Sequence, residues 1–438
     1  MNKVNDLIRK TARELLPRAV DLRRSFHLYP ETGWNEYRTA SLIAEMLDQN
    51  GWKVSCGKEL TGGAQRLGLP SEQKQNEEWE RARQDGAPHS WLSLMKGGHT
   101  AVLGELSLGE GPMTVIRFDM DALPLKESRK KGHFPWDNVF SSVYPEVMHG
   151  CGHDGHAAAG ALLSEALASL SRFYRGTLIL LFQPAEEGVR GGSALKEYRG
   201  VKSADYLIGF HLLNSIPHGF VVPAIEGISA TTKYDYFFTG REAHAGGDPA
   251  KGRDALLSAS RAVVDIHERC SALTKAGRVH IGLLKGGSAR NIIAGQAELS
   301  MESRGESETL NEYISQQAWH AACKAAEKEG CFIERVKRGE STVFQSHTAL
   351  KEIFKKSIQN AGWRVYPASY SLGGSEDFSV LARENSIAGG KSLYFGVGAA
   401  GGGQPHSPDF DFNEKALETT LGVLLVLLAD INGKKEKM

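Results

Sequence analysis

Along this chain the apolar residues change their period several times, and each change marks an element. From 7 to 22, and again from 37 to 47, they recur at the three-to-four spacing of an amphipathic helix, with Pro30-Glu31-Thr32-Gly33 as the turn between. Residues 71–96 are densely charged and predict a surface helix inserted between core elements. Apolar runs of strand length then appear at 100–106, 113–118, 177–182, 206–210 and 392–397. An Ala/Leu-rich helix at about 156–170 separates two of them, as in a βαβ crossover, so the expected class is α/β with a sheet at its centre.

The rhythm differs between 223 and 334. A strand at 234–239 is followed by a helix at 254–270, strands at 280–284 and 297–302, a helix at 310–328 and a strand at 331–336. That order, βαββαβ, predicts a ferredoxin-like α+β domain inserted into the first. The expected division is 1–222 with 335–438 for the α/β domain and 223–334 for the insertion. An apolar run at 421–428 is too short for the ~20 residues that span a bilayer and predicts a buried C-terminal helix.

Composition narrows the classes further. Lys plus Arg and Asp plus Glu are balanced at 52 each, so no overall field favours nucleic acid or an anionic membrane. The N-terminal residues from Met1 to Asp6 have no apolar signal core. Five scattered cysteines (56, 151, 270, 323 and 331) argue against a disulfide framework and suit a reducing cytoplasm, which would keep Cys151 available as a thiolate.

The chemistry gathers where strands end. Asp119 and Asp121 follow the run 113–118, Glu186 and Glu187 follow 177–182, His211 follows 206–210, and His406 lies in the loop after 392–397. In an open α/β sheet the site forms outside the carboxyl ends of the strands. The stretch Met148-His-Gly-Cys-Gly-His-Asp-Gly-His156 adds soft and borderline donors in a glycine-rich segment. On a helix Cys151 and His153 would point ~200° apart, so sharing a metal requires a turn, which Gly150, Gly152 and Gly155 permit. Asp154 either caps the following helix or orients a ligand, and His149 and His156 are supporting groups. Of the adjacent Glu186 and Glu187, one can bind metal while the other faces the attacking water.

These motifs, with Asp119-Met-Asp-Ala-Leu-Pro124, Gln183-Pro-Ala-Glu-Glu-Gly188, Gly373-Gly-Ser-Glu-Asp-Phe378 and Arg23-Arg-Ser-Phe-His-Leu-Tyr-Pro-Glu-Thr-Gly33, closely resemble the metal-dependent amidohydrolases related to hippurate hydrolase and the auxin-conjugate hydrolases. That family lies within the aminoacylase and carboxypeptidase G clan, and the resemblance covers nearly the whole chain. It implies a metal-dependent exopeptidase-like catalytic domain with a mixed central sheet, carrying two divalent ions, Mn or Zn. Cys151 would bridge them, His153 and His211 would complete one site, and Glu187 and His406 the other. Glu186 would be the general base and acid, and His244 would stabilise the oxyanion. Asn291 and Arg304 would hold the substrate carboxylate. Asp119, where the wider clan has a histidine, stays behind the ligands with Asp121 and Asp154.

The insert with Arg66-Leu-Gly-Leu-Pro70 and Glu80-Arg-Ala-Arg-Gln-Asp-Gly-Ala87 resembles the A-type branch of the p-aminobenzoyl-glutamate hydrolases. This implies cleavage of the amide to p-aminobenzoate and glutamate, and pairing with a homologous B-type subunit. A homodimer through the inserted domain is the other expected assembly. A broader N-acyl-amino-acid hydrolase and a weakly active chain that needs its partner are the alternatives. Because glutamate has two carboxylates, Arg290 beside Asn291 is expected to recognise the second.

Overall fold

The computed structural model describes residues 3–271 and 276–434, so Met1 and Asn2 of the N-terminal stretch lie outside the described residues. Four buried parallel strands form its centre: Thr177–Gln183, Met113–Asp119, Tyr206–Leu213 and Lys391–Gly398, adjacent in that order. Strand Val102–Ser107 pairs antiparallel beyond the first, followed by Lys53–Cys56. Phe220–Val222 and Arg364–Val365 complete the other edge, making a mixed sheet of eight. The central strands are near-continuous apolar runs because helices cover both faces. Lys3–Leu28, Tyr37–Gln49, His153–Ser169, Thr348–Asn360 and Ala416–Ile431 pack into one core, and the short helices Gly192–Leu195 and Arg199–Ser203 with Phe378–Ile387 into the other.

Two expectations shift in detail. Helix Glu72–Gln84 is capped by Ser71, but it is not only a surface element. Trp79 and Ala82 enter the main core, and Trp79 Nε1 donates to the Leu92 carbonyl at 3.1 Å. The strand expected at 206–210 runs on to Leu213 because Leu212 and Leu213 continue the ladder opposite Val397 and Gly398. His211 is therefore inside a strand and opposite Gly396.

A second sheet, wholly antiparallel, has the order Gly277–Gly286, Gln296–Gly305, Ala230–Thr239, Phe332–Ser341. In chain order this is 2-3-1-4, the arrangement of a βαββαβ unit. Helices Ala255–Ser271 and Glu308–Lys328 cover one face, enclosing a core of Tyr236, Phe238, Leu299, Met301 and helix alanines that is separate from the other two.

The glycine-rich stretch is held to the first helix by buried charge. Arg23 reaches Asp154 at 2.8 Å and Asp411 at 2.6 Å, all three being buried. His27 donates from Nδ1 to Asp154 at 2.8 Å and from Nε2 to Glu127 at 2.9 Å. Burial opposes its charge, but the bonds to Asp154 and Glu127 outweigh it and lift the imidazolium to about 9. With a folded value above the unfolded ~6.5, the stabilisation is fully present below pH ~6.5 and is lost as pH rises to 9. Replacing His27 with Gln should therefore flatten the decline of Tm across that window relative to the parent protein; superimposable Tm–pH curves would contradict the assignment.

Candidate metal centre and active site

The glycine-rich stretch, the segment after Thr177–Gln183, the end of Tyr206–Leu213 and the His406 loop meet at one cavity of about 330 Å³. A larger hollow of about 790 Å³, near Val4, Phe173 and Asp430, contains none of the candidate ligands.

Gly152 adopts φ +91°, a conformation that an L side chain rarely takes, and helix His153–Ser169 begins at the next residue. This left-handed step separates Cys151 from the helix and lets it and His153 serve one point. Cys151 Sγ lies 3.5 Å from His211 Nε2. His211 donates from Nδ1 to the Leu212 carbonyl at 2.8 Å, and His153 donates from Nδ1 to the Asp121 carbonyl at 2.9 Å. With each Nδ1–H engaged, Nε2 is the ring atom left free to serve a metal once its proton is displaced. Burial opposes a Cys151 thiolate, yet His211 and His153 hold the thiol well below its ordinary value.

The second set of donors arrives from loops. His406 has φ +64°, and its backbone N–H donates to the Gly150 carbonyl at 2.8 Å, seating its loop on the glycine-rich stretch. Its Nε2 is 3.4 Å from Glu187 Oε1. Ala185 and Val189, flanking the glutamates, also have positive φ, a strain that clusters at functional sites. Cys151, His153 and His211 thus offer ligand atoms within 4.8 Å of one another, and so do Cys151, Glu187 and His406. The two sets share the thiol.

This donor chemistry fits divalent metal. It combines thiolate, imidazole and carboxylate, the mix that suits zinc and its neighbours. Among the described residues Glu187 Oε1 is a buried oxygen with no hydrogen-bond partner, His406 Nε2 standing only at ion-pair distance.

Glu186, only 8% exposed, has Oε2 4.0 Å from His153 Nε2. Burial, together with Glu376, Glu187 and Asp377, pushes its carboxyl well above the usual range. Asp121 positions the whole dipeptide. Its Oδ1 and Oδ2 accept the N–H groups of Glu186 and Glu187, each at 3.0 Å, while its carbonyl holds His153. Asp119 accepts from His156 Nδ1 at 2.5 Å and also meets Arg117. His156 uses its other nitrogen to accept the Leu212 N–H at 3.0 Å, so both ring atoms are engaged away from the metal donors. His149 is buried, and among the described residues neither of its ring nitrogens has a hydrogen-bond partner.

Several expected positions need correction. Asp154 neither caps the helix, whose cap position is Gly152, nor bonds a candidate ligand; its partners are Arg23, His27 and its neighbour Gly155. Arg304 does line the cavity, but His244, Asn291 and Arg290 do not. The reason is register. Arg304 pairs with Thr231 at one end of the second sheet, whereas the short ribbon Ala243–His244/Ile292–Ile293 extends from the other end, beyond the pair Gln296 and Thr239. Eight residues of strand separate these ends, roughly 25 Å. His244 is exposed there, with Nδ1 accepting from the N–H groups of Gly246 and Gly247.

Arg117 is a buried residue that sequence reasoning passes over. It lies on the strand leading to Asp119, where a cation within an apolar run is the available signal. It bonds Asp119, and it reaches Glu376 and Asp377 at 2.9 Å each and Gln183 at 3.0 Å. Glu376 and Asp377, which the motif Gly373–Phe378 contains without a role attached, bring two more carboxylates against Glu186.

With this geometry established, comparison with known proteins places the chain. Residues 115–430 match the family described as Peptidase family M20/M25/M40. The chain belongs to that family. It is 37% identical over 415 residues to the A-type subunit of p-aminobenzoyl-glutamate hydrolase from Escherichia coli, covering 94% of this chain and 95% of that one. It is 35% identical over 425 residues to indole-3-acetyl-aspartic acid hydrolase of Enterobacter agglomerans, covering 95% and 97%. The crystal structure of an aminobenzoyl-glutamate utilization protein from Klebsiella pneumoniae superposes with a TM-score of 0.82 at 31% identity, covering 96% and 97%. Like other members of this family, the chain is a metal-dependent hydrolase of amide bonds.

Because Asp121 bonds both glutamates and the backbone beside it orients His153, Asp121→Ala should weaken Mn or Zn binding by roughly 10–100-fold. Competitive chelator titration would measure this, and unchanged affinity in a folded variant would refute the positioning role.

Proposed function

We propose that the protein hydrolyses the amide of p-aminobenzoyl-glutamate, releasing p-aminobenzoate and glutamate. The observation that carries the reading is the pair of donor sets sharing Cys151, with Glu186 beside them in one cavity. The aryl and glutamyl parts are supported by the name of the relative sharing 37% identity along nearly the whole chain. A broader specificity for N-acyl amino acids is the second reading, supported by the 35% identical relative named for an indole-acetyl-aspartate substrate.

In this mechanism Cys151, His153 and His211 would hold one divalent ion, Mn or Zn, and Glu187 and His406, with Cys151, would hold the other. When bound, such ions supply Lewis-acid polarisation of the scissile carbonyl and activate water. Glu186 accepts the proton of the attacking water at its carboxylate and delivers it to the departing amide nitrogen. Asp121 keeps Glu186 and Glu187 facing their separate tasks. Arg304, a planar donor on the cavity wall, binds the α-carboxylate of the substrate.

His244 and Asn291, exposed on their ribbon, reach a substrate only if the division into 1–222 with 335–438 and 223–334 permits closure, or if a second chain supplies them. A homologous B-type subunit or a second copy meeting the edge strand Gly277–Gly286 belongs to the same proposal. It is supported by the exposed Leu283 and Leu284 on that strand, and by the E. coli relative being named as one kind of subunit. A cytoplasmic setting is supported by five cysteines that are all unpaired.

The test is hydrolysis of p-aminobenzoyl-glutamate, indole-acetyl-aspartate and hippurate by the Mn-loaded chain, alone and with a B-type partner. A chelator should abolish turnover. Glu186→Gln should bind metal normally yet lose at least ~100-fold in kcat, the lower range for a general base. Chelator-insensitive cleavage, or an unchanged kcat in that variant, would overturn the mechanism.

A further inference from the structure

The wall of the cavity opposite the metal donors belongs to the uncovered face of the second sheet. Lys233 pairs directly with Glu302, and Arg304 pairs with Thr231. Directly opposed residues share a face, so Lys233, Glu302, Arg304 and Thr231 all stand on one side, away from the helices that cover Tyr236 and Leu299. Lys233 and Arg304 both line the cavity.

The two cations are differently engaged. Glu302 directs its Oε1 to Arg304 Nε at 2.8 Å and its Oε2 to Arg304 Nη2 at 3.2 Å, so the bidentate edge of the guanidinium occupies both oxygens. Nη1 remains on the cavity side, 3.4 Å from Ser375 Oγ. Lys233 faces Glu302 across the ladder, but its ammonium forms no hydrogen bond or close ion pair among the described residues. Lys233 is thus a half-buried lysine bordering the cavity, and the carboxylate it faces already directs both oxygens to an arginine.

We propose that Lys233 is the specificity residue for a second carboxylate, the one on the side chain of a dicarboxylic amino acid, while Arg304 takes the α-carboxylate. Diagonal neighbours on one face of a sheet lie about 7–8 Å apart, and their flexible ends can converge on two carboxylates joined by a short carbon chain. This gives Lys233 the role expected from sequence for Arg290, which the register carries to the far end of the sheet. The inference rests on the N-acyl-amino-acid reading above and deepens it: glutamyl and aspartyl conjugates should be preferred to those of neutral amino acids.

The decisive comparison is p-aminobenzoyl-glutamate against p-aminobenzoyl-glutamine, which differ in charge but hardly in shape. For the metal-loaded protein, Lys233→Met should lower kcat/KM for the glutamate compound by roughly 10–100-fold, the worth of a hydrogen bond to a charged group. The loss should be mostly in KM, and the glutamine compound should change by less than about threefold. Lys233→Arg should keep most of the preference. Equilibrium binding of the uncleavable 4-aminobenzenesulfonyl analogues of the same two amino acids provides a readout without turnover, and the glutamate preference should disappear there too in Lys233→Met. Equal losses for both compounds, or a preference untouched by the substitution, would overturn the role of Lys233. Cleavage of neither compound by the parent protein would instead refute the proposed function, and the binding preference of the analogues would still decide Lys233.

Discussion

Buried ionisable groups crowd the ends of the central parallel strands, and their mutual charge governs the site. Asp119, Glu376 and Asp377 meet one buried cation, Arg117. Glu186 and Glu187 lie against that group and against a Cys151 poised as thiolate, with burial raising the cost of every charge. Burial and neighbouring like charge push the Glu186 and Glu187 carboxyls upward, and the two donor sets around them suit a bound cation. Divalent metal would relieve that repulsion, a requirement that bears on every loop around the site.

That requirement explains why so many neighbouring parts are held firmly. Arg23, His27 and Glu127 pin the glycine-rich stretch from behind through Asp154, and Asp121 fixes both glutamates and His153 from the side. His153 and His211 have their Nδ1 atoms tied to backbone carbonyls, so their ligand nitrogens are set before any ion arrives. Positive φ at Ala185, Val189 and His406 is local strain that this scaffold holds in place. The ordering cost is met on folding, which leaves less to be lost when metal and substrate bind.

Much of this was legible in the sequence because the central strands are buried on both faces and read as plain apolar runs. The βαββαβ order was legible for the complementary reason: its strands alternate and its helices are long. Glu187, His211 and His406 could be recognised because they lie at or beyond the ends of parallel strands, which share one edge by construction, and Cys151 and His153 because the glycine-rich stretch gathers donors. His244, Asn291 and Arg290 misled for the same reason. They too neighbour strands, but in an antiparallel sheet neighbouring elements end at opposite edges, and only the register tells which end meets the cavity. Arg117 was hidden inside an apolar run, and Lys233 stood in a motif, Ala230-Thr-Thr-Lys233, that resembles the A-type branch but assigned it no role. Its meaning emerged only from the residue facing it across the ladder.

The most direct test of the shared-thiol centre is cobalt titration of the apo protein, followed by thiolate-to-cobalt charge-transfer absorption. A shared thiolate predicts a band that grows to saturation at two ions per chain, and its loss in Cys151→Ser while weaker binding through the histidines persists. Saturation at one ion, or a charge-transfer band that survives removal of Cys151, would contradict it.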